Sequence, residues 1–499
     1  MRRLIDLFYL VLLSVISVFG QNYSKEIEIN GNKFENNSNS AVYINQKSNG
    51  FKGIWYMVKP TTDEYGYKYS GGMATYCEEH RPFAIYAKGV NKTFFCFGGT
   101  DDTNSTLLHN VSYFDHKTGR IANPLTILDK RTNDAHDNPV ISIDNQGYIY
   151  IFSTSHGKER PSYISKSEKP YSIEKFNELQ PTEIVNGKVV PFKNFSYFQV
   201  WFVKNKGFFA IFTKYNDKGN RVIGYNTSKN AITWNEWKVI AHIEEGHYQI
   251  CQESNAKIGS AFNYHPNKNG QGFDYRTNLY YVETIDFGKT WHNAAGKIVQ
   301  LPLKEINNDA KVKDFKTENL NCYIKDIAFD KNNNPVIMVV SSKGFAAGPA
   351  NNPRTWELFS YDKGWKNCKI TTSNNNYDTG SLFINTQNEW EVYAPTEMGP
   401  QPYNPGGEMV CWKSIDSGKT WNIKNKMTSK SEMNQNYLRG VVNGKNDFFG
   451  IWADGNGRKP SVSHIYFCNK NGDVFQLPRE TTEDMILPLK YTNHLLKLK

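Results

Sequence analysis

Two copies of one eight-residue pattern constrain this chain more than any other feature. Thr284-Ile-Asp286-Phe-Gly288-Lys-Thr290-Trp291 and Ser414-Ile-Asp416-Ser-Gly418-Lys-Thr420-Trp421 both read Ser/Thr-x-Asp-x-Gly-x-Thr-Trp. Such a segment makes physical sense as a hairpin turn. The Asp caps backbone amides, the Gly supplies a positive φ, and the Trp packs back between strands. Weaker copies keep the register at Thr227–Trp234 and Ser360–Trp365, with related turns beginning at Ser112, Ser165 and Phe467. Repeats of this kind mean an array of small sheets. Seven turn starts, near 112, 165, 227, 284, 360, 414 and 467, predict an all-β, seven-bladed β-propeller of four-stranded blades around a central axis. Alternating strands such as 148–152 and 208–212 fill the intervals, and no long amphipathic helix is evident. Nothing reads as a linker, so residues 21–499 are expected to form one domain. The Asn- and Ser-rich segment 21–50 is expected to close the ring or stay loose.

The amino terminus differs from the rest. Arg2 and Arg3 precede an apolar run from Leu7 to Phe19, followed by Gly20-Gln21. This reads as a signal peptide over residues 1–20 and predicts a secreted or periplasmic protein. The run is too short for a stable membrane span, and no later segment is long and apolar enough for one. The formal net charge is +10, which favours anionic partners. For an exported chain an acidic polysaccharide fits that charge better than nucleic acid does. A monomer is expected. Seven cysteines, an odd and sparse set for this length, exclude a disulfide scaffold. Most should be buried apolar residues.

The turn motifs are structural, so function must come from loops at one mouth of the axis. His136, in Asn133-Asp-Ala-His136-Asp-Asn138-Pro139, precedes the strand beginning at Val140. His156, in Ser153-Thr-Ser-His156-Gly157, follows the strand 148–152. Two adjacent antiparallel strands bring these ends together, so both imidazoles should reach one ligand. Imidazoles hold or release protons near neutral pH, as general acid–base chemistry requires. The alternative is that both cap strand ends. Tyr197, opening the next blade, is a candidate phenolic acid, and Lys214 and Arg221 are candidate cations for a carboxylate. A second cluster runs through His247, Cys251, Tyr264, His265 and Arg276. His247, Cys251, His265 and the later Cys322 could hold a structural zinc across strands, or could be two core cysteines and two hydrogen-bonded histidines.

The stretch from about 71 to 300 resembles the propeller-type ulvan lyases, polysaccharide lyases that carry the same turn repeats. The segments around His136 and His156 carry the resemblance. Phe262-Asn-Tyr264-His265-Pro266 and Arg276-Thr-Asn-Leu-Tyr280 extend it, and Pro405-Gly-Gly-Glu-Met409 adds to it. The resemblance implies β-elimination on a uronate-containing, sulfated polysaccharide. A base removes the proton at C5, a cation neutralises the carboxylate, and an acid protonates the oxygen leaving C4. Carried over, His136 is the acid/base residue with Tyr197 as its partner. His156, Tyr264 and Asn138 bind substrate, and Arg276 or Lys214 faces the carboxylate. Lys214 is a departure: a point charge stands where a planar arginine is expected. The family can also carry zinc, which would fall on His247, Cys251, His265 and Cys322; no organic cofactor is implied.

Two other functions compete. A propeller rhamnosidase would hydrolyse rhamnose–glucuronic acid linkages on the same scaffold, without forming an unsaturated sugar. A carbohydrate-binding propeller would hold a sulfated chain on exposed aromatics without cutting it. A sialidase is disfavoured: His80-Arg81-Pro82 is a poor substitute for its early Arg-Ile-Pro segment.

Overall fold

The computed structural model describes residues 40–491, except 159 and 268–273. The expected signal peptide, residues 1–20, lies outside the described residues. The chain is all-β. Among the described residues, short 3₁₀ turns stand at Lys88–Val90, Ala135–Asp137 and Pro349–Asn351. Among the described residues no helix is long and apolar enough to cross a membrane.

Antiparallel meanders follow one another along the chain. Residues 139–179 form one four-stranded sheet, and three more such sheets lie within 249–313, 321–373 and 381–426. A seven-stranded sheet holds Ser196–Val203, Gly207–Tyr215 and Arg221–Ser228, and adds an outer hairpin at Thr182–Val185 and Lys188–Pro191. The first and last meanders merge into one twelve-stranded sheet, through the parallel pairing of Ile85 with Val442.

The opening strands of these meanders lie side by side. Ala84–Ala87 packs against Pro139–Ile143, and that strand against Ser196–Val203. Gln249–Ser254, Asn321–Phe329, Ser381–Ile384 and Asn434–Lys445 continue the series, and the last returns to Ala84–Ala87. The circuit therefore closes between the two ends of the chain. Of the segment 21–50, expected to close the ring or stay loose, Val42–Lys47 pairs with the outer strand Leu125–Asp129, and Asn49 and the adjoining Phe51 bond to the backbone of Thr481 and Pro478 near the other end of the chain.

The turn motifs behave as their chemistry dictates. Asp286 accepts hydrogen bonds from the amides of Lys289 and Thr290, both at 2.9 Å, and from the Thr290 hydroxyl at 2.7 Å. Asp416 repeats this with Lys419 and Thr420. Gly288 and Gly418 take φ of 87° and 81°, and a Cβ at either would strike an aromatic ring at 2.4 or 2.5 Å. Glycine is thus required twice over, by backbone and by packing. In the weaker copy, Asn230 replaces the Asp, accepting from the amides of Ile232 and Thr233, and Ala231 adopts φ 61° where the motif has glycine. All seven expected turn starts fall on or at the end of a strand third in its meander.

One element has no signature in the repeats. A two-stranded ribbon, Tyr56–Pro60 with Tyr67–Gly71, precedes the first meander. Its Lys68 reaches Asp274 at 2.6 Å, its Tyr69 ring lies 4.6 Å from that of Tyr377, and Ser70 donates to the carbonyl of Gly457. The ribbon therefore spans one mouth of the circuit.

Candidate active site

The strand ends on either side of the Pro139–Ile143/Ile149–Ser153 pair carry the two histidines. Ser153 pairs with Pro139, so the segments beyond them leave the sheet at the same edge. The His136 and His156 rings stack with centroids 4.0 Å apart and planes 14° apart. Asp134 caps the 3₁₀ turn at 135–137 by accepting from the His136 amide. Its carboxylate also serves both rings, with Oδ1 2.6 Å from His136 Nδ1 and Oδ2 3.0 Å from His156 Nδ1. Arg160 fixes the carboxylate from behind, bonding Asp134 at 2.7 Å and the fully buried Asp137 at 2.8 Å.

The two rings have different surroundings. His136 is only 5% exposed, and its Nε2 lies 2.7 Å from the Tyr76 hydroxyl. Tyr56 of the ribbon stands 2.8 Å from its Nδ1. Burial, reinforced by the neighbouring His156, pushes the His136 pKa down to about 4, against the opposite pull of Asp134. His156 keeps 30% of its side chain exposed. It is the imidazole that meets the mouth.

Tyr197 lies 6.1 Å, ring to ring, from each histidine. It sits where the Ser196–Val203 strand bulges against its neighbour, and it holds φ at 51°. A bulge re-aims a side chain, and a tyrosine in the left-handed region costs about 1 kcal/mol or more. Tyr437 repeats the arrangement on another opening strand, with φ 56° at a second bulge. Burial, with Tyr248 next, holds the Tyr197 phenol well above its ordinary range, so it keeps its proton at neutral pH.

Arg221 lies among three tyrosine rings, 5.0 Å from Tyr248, 5.7 Å from Tyr215 and 5.8 Å from Tyr197. Arg276 covers the Tyr248 ring at 4.0 Å and faces Glu79 at 3.6 Å and Glu78 at 3.7 Å. Burial, with Glu78 next, raises the Glu79 carboxyl to about 7. The mouth thus brings together two imidazoles, a phenol and two guanidinium groups.

Several expected residues stand elsewhere. Lys214 gives its ammonium to both oxygens of Glu183 at 2.7 Å on the outer hairpin, so the cation beside Tyr197 is Arg221. Tyr264 is fully buried and packs on Tyr280 in a hydrophobic core. Strand alternation turns the next residue, His265, toward the Tyr248 ring at 4.9 Å. Asn138 is buried, and its amide donates to the carbonyls of Met73 and Tyr76, so it braces a loop and does not meet a ligand.

The four expected zinc ligands do not converge. His247 Nδ1 donates to the Asn263 carbonyl at 2.7 Å, and its Nε2 accepts from the Ile243 amide at 2.8 Å. Cys251 accepts from the Trp201 indole at 3.2 Å, and burial pushes its thiol up to about 12. Both residues are satisfied core groups and do not fit a metal site. Among the described residues, Asp134, His136 and His156 do bring ligating atoms within 4.8 Å of one another. Their rings lie nearly parallel, however, so the in-plane lone pairs run side by side and do not meet at one ion. All seven cysteines are free thiols.

Sequence reasoning missed Tyr56, Tyr69 and Tyr76, whose hydroxyls converge on His136, and also Asp134 and Arg160. Asp134 was within sight, two residues before His136. The tyrosines lie 60 to 80 residues upstream, on the ribbon and the loop after it, both outside the repeat.

An all-β circuit of repeat-turn sheets, with ionisable side chains gathered at one mouth, defines the class. The chain belongs to the BNR repeat-containing family, whose sequence model matches residues 92–373. A curated ulvan lyase from Nonlabens ulvanivorans is 22% identical over 323 residues, which cover 58% of this chain and 65% of that enzyme, slightly under two thirds of its length. Among solved structures, a PL25 ulvan lyase superposes with a TM-score of 0.63 at 16% identity, covering 85% of this chain and 96% of that one. Polysaccharide lyase Uly1 superposes with a TM-score of 0.58 at 11% identity, over 86% of this chain and 99% of that one. At these identities the structural likeness is one of fold.

Proposed function

We propose that this chain is an exported polysaccharide lyase, built as a seven-bladed propeller, that cleaves a uronate-containing sulfated polysaccharide by β-elimination. The closed circuit of seven opening strands supports the blade count. The basic, then apolar, start of the sequence supports export. The matched relatives carry the name ulvan lyase, and one of the similar solved structures holds a fragment of glucuronic acid linked to sulfated rhamnose.

The observation that carries the reading is the His136–His156 stack on one carboxylate, beside Tyr197 and Arg221. The C5 proton of a uronate is weakly acidic, so its removal needs a base and a cation on the carboxylate. His156 takes the proton on Nε2, because its Nδ1 is held by Asp134 and its ring reaches the mouth. Arg221 meets the carboxylate as charge builds on it. The C5–H electron pair becomes the C4–C5 double bond, the C4–O bond breaks, and the leaving oxygen takes the Tyr197 proton. Solvent then returns a proton to Tyr197 and removes one from His156. His136, buried and bonded to Tyr76, backs this pair and does not touch the sugar. That arrangement exchanges the roles that resemblance alone assigned to the two histidines.

The test is a panel of uronate polysaccharides followed at the ultraviolet band of unsaturated uronates. Ulvan-like polymers should give a rising band with the wild type, and Y197F should slow it about 10²-fold or more. Cleavage without the band would make the chain a hydrolase. Binding without cleavage of any polymer would make it a lectin-like propeller.

A further inference from the structure

Asp134 is one carboxylate shared by two imidazoles. Each of its oxygens faces one ring, and each faces Nδ1. An ionised carboxylate only accepts hydrogen bonds, so each Nδ1 meets it with a proton, and the Tyr56 hydroxyl, 2.8 Å from His136 Nδ1, turns its own proton to the same carboxylate. The Tyr76 hydroxyl, 2.7 Å from His136 Nε2, fits this tautomer by donating its proton to the Nε2 lone pair. Nothing in the arrangement lets the carboxylate drift. Arg160 bonds it at 2.7 Å, and the His136 amide donates to it at 3.0 Å.

We propose that Asp134 is a positioning residue that holds His136 and His156 as Nδ1–H tautomers, and so leaves the His156 Nε2 lone pair on the open side of the ring. The catalytic half of this inference rests on the lyase reading given above; the tautomer half does not. The two rings also form one unit. Stacked 4.0 Å apart on a single negative charge, they share one compensating carboxylate, so protonating one opposes protonating the other. A uronate proton taken by His156 is then stabilised by Asp134 only while His136 stays neutral. The buried setting of His136 serves that purpose.

An amide at position 134 breaks the arrangement in a defined way. Asparagine offers one acceptor and one donor, so it can serve one ring as the carboxylate does, while its N–H forces the other to present a lone pair at Nδ1 and carry its proton on Nε2.

The experiment is long-range proton–nitrogen correlation spectroscopy on the full chain, labelled with 15N-histidine, near neutral pH. The H136Q and H156Q variants assign the two residues. In the wild type both rings should show a protonated Nδ1 and an unprotonated Nε2. In D134N one of them should invert, and kcat on the cleaved polymer should fall about 10²-fold or more with KM nearly unchanged. An Nε2–H tautomer on either ring of the wild type overturns the proposal, and this reading needs no variant to fold. Unchanged tautomers in a folded D134N overturn it as well. Both tautomers as expected, in a protein that cuts no uronate polymer, support the placement and sink the lyase reading alone.

Discussion

Two pairs of histidines stood out in the sequence, and the fold treats them in opposite ways. His136 and His156 leave neighbouring strand ends and stack over a shared carboxylate at the mouth. His247 and His265 lie inside the meander at 249–313 or at its edge, and both are fully buried. His247 spends both nitrogens on backbone groups, and His265 backs the ring of Tyr248. The first pair sits where backbone hydrogen bonding ends and side chains must satisfy one another. The second sits inside the protein, where backbone groups satisfy His247 and an aromatic ring covers His265. An imidazole therefore acquires chemistry here from its position at a strand end, where a carboxylate and an open side meet, and not from local density of His, Tyr and Arg.

The sharpest way to break this comparison is to remove one member of each pair. H156A should lower kcat about 10³-fold while melting close to the wild type, because the side chain is partly exposed and its loss leaves no large cavity. H247Q should do the reverse, keeping activity within about threefold and lowering the melting temperature, since it disturbs a buried network. Equal activity losses in the two variants would erase the distinction.

A smaller effect separates the two cations near Tyr197. R221K should cost about 10²-fold in kcat/KM, because a lysine cannot offer the planar fork. K214A should leave kcat/KM within about twofold, since its charge is spent on Glu183. The comparison is made by steady-state kinetics on one polymer.

A separate readout is stability against pH. Burial lowers the His247 pKa to about 3, while an unfolded histidine titrates near 6.5. A depressed folded pKa gives stability that is complete above the unfolded value and is lost as pH falls toward the folded one. His136, at about 4, adds to the same window. Denaturant titrations should show stability falling from about pH 6.5 toward pH 3, by on the order of 4 kcal/mol for His247 alone. H247Q should flatten that slope.

Much of this was legible in the sequence because it is local. The turn motif fits within eight residues, so Asp286, Gly288 and Asp416 announce their roles, and the third-strand positions follow. The juxtaposition of His136 and His156 follows from one hairpin. The rest depends on contacts across the circuit. Tyr56 and Tyr76 reach His136 from a ribbon and a loop whose sequences carry no repeat, and Arg221 approaches Tyr197 across the Gly207–Tyr215 strand. Cys251 looked like a metal ligand until Trp201, on the opening strand of the preceding sheet, supplied a donor. Strand parity decided Tyr264 against His265, and a bulge between Phe262 and Tyr264 made that parity unreadable beforehand.

Cleavage in water enriched in 18O tests the central claim most directly. If His156 and its partners remove a carbon-bound proton, the polymer breaks without consuming water, and mass spectra of the fragments should contain no added 18O and one unsaturated end per cut. One 18O at each new reducing end would contradict elimination, and with it the role given to the paired imidazoles.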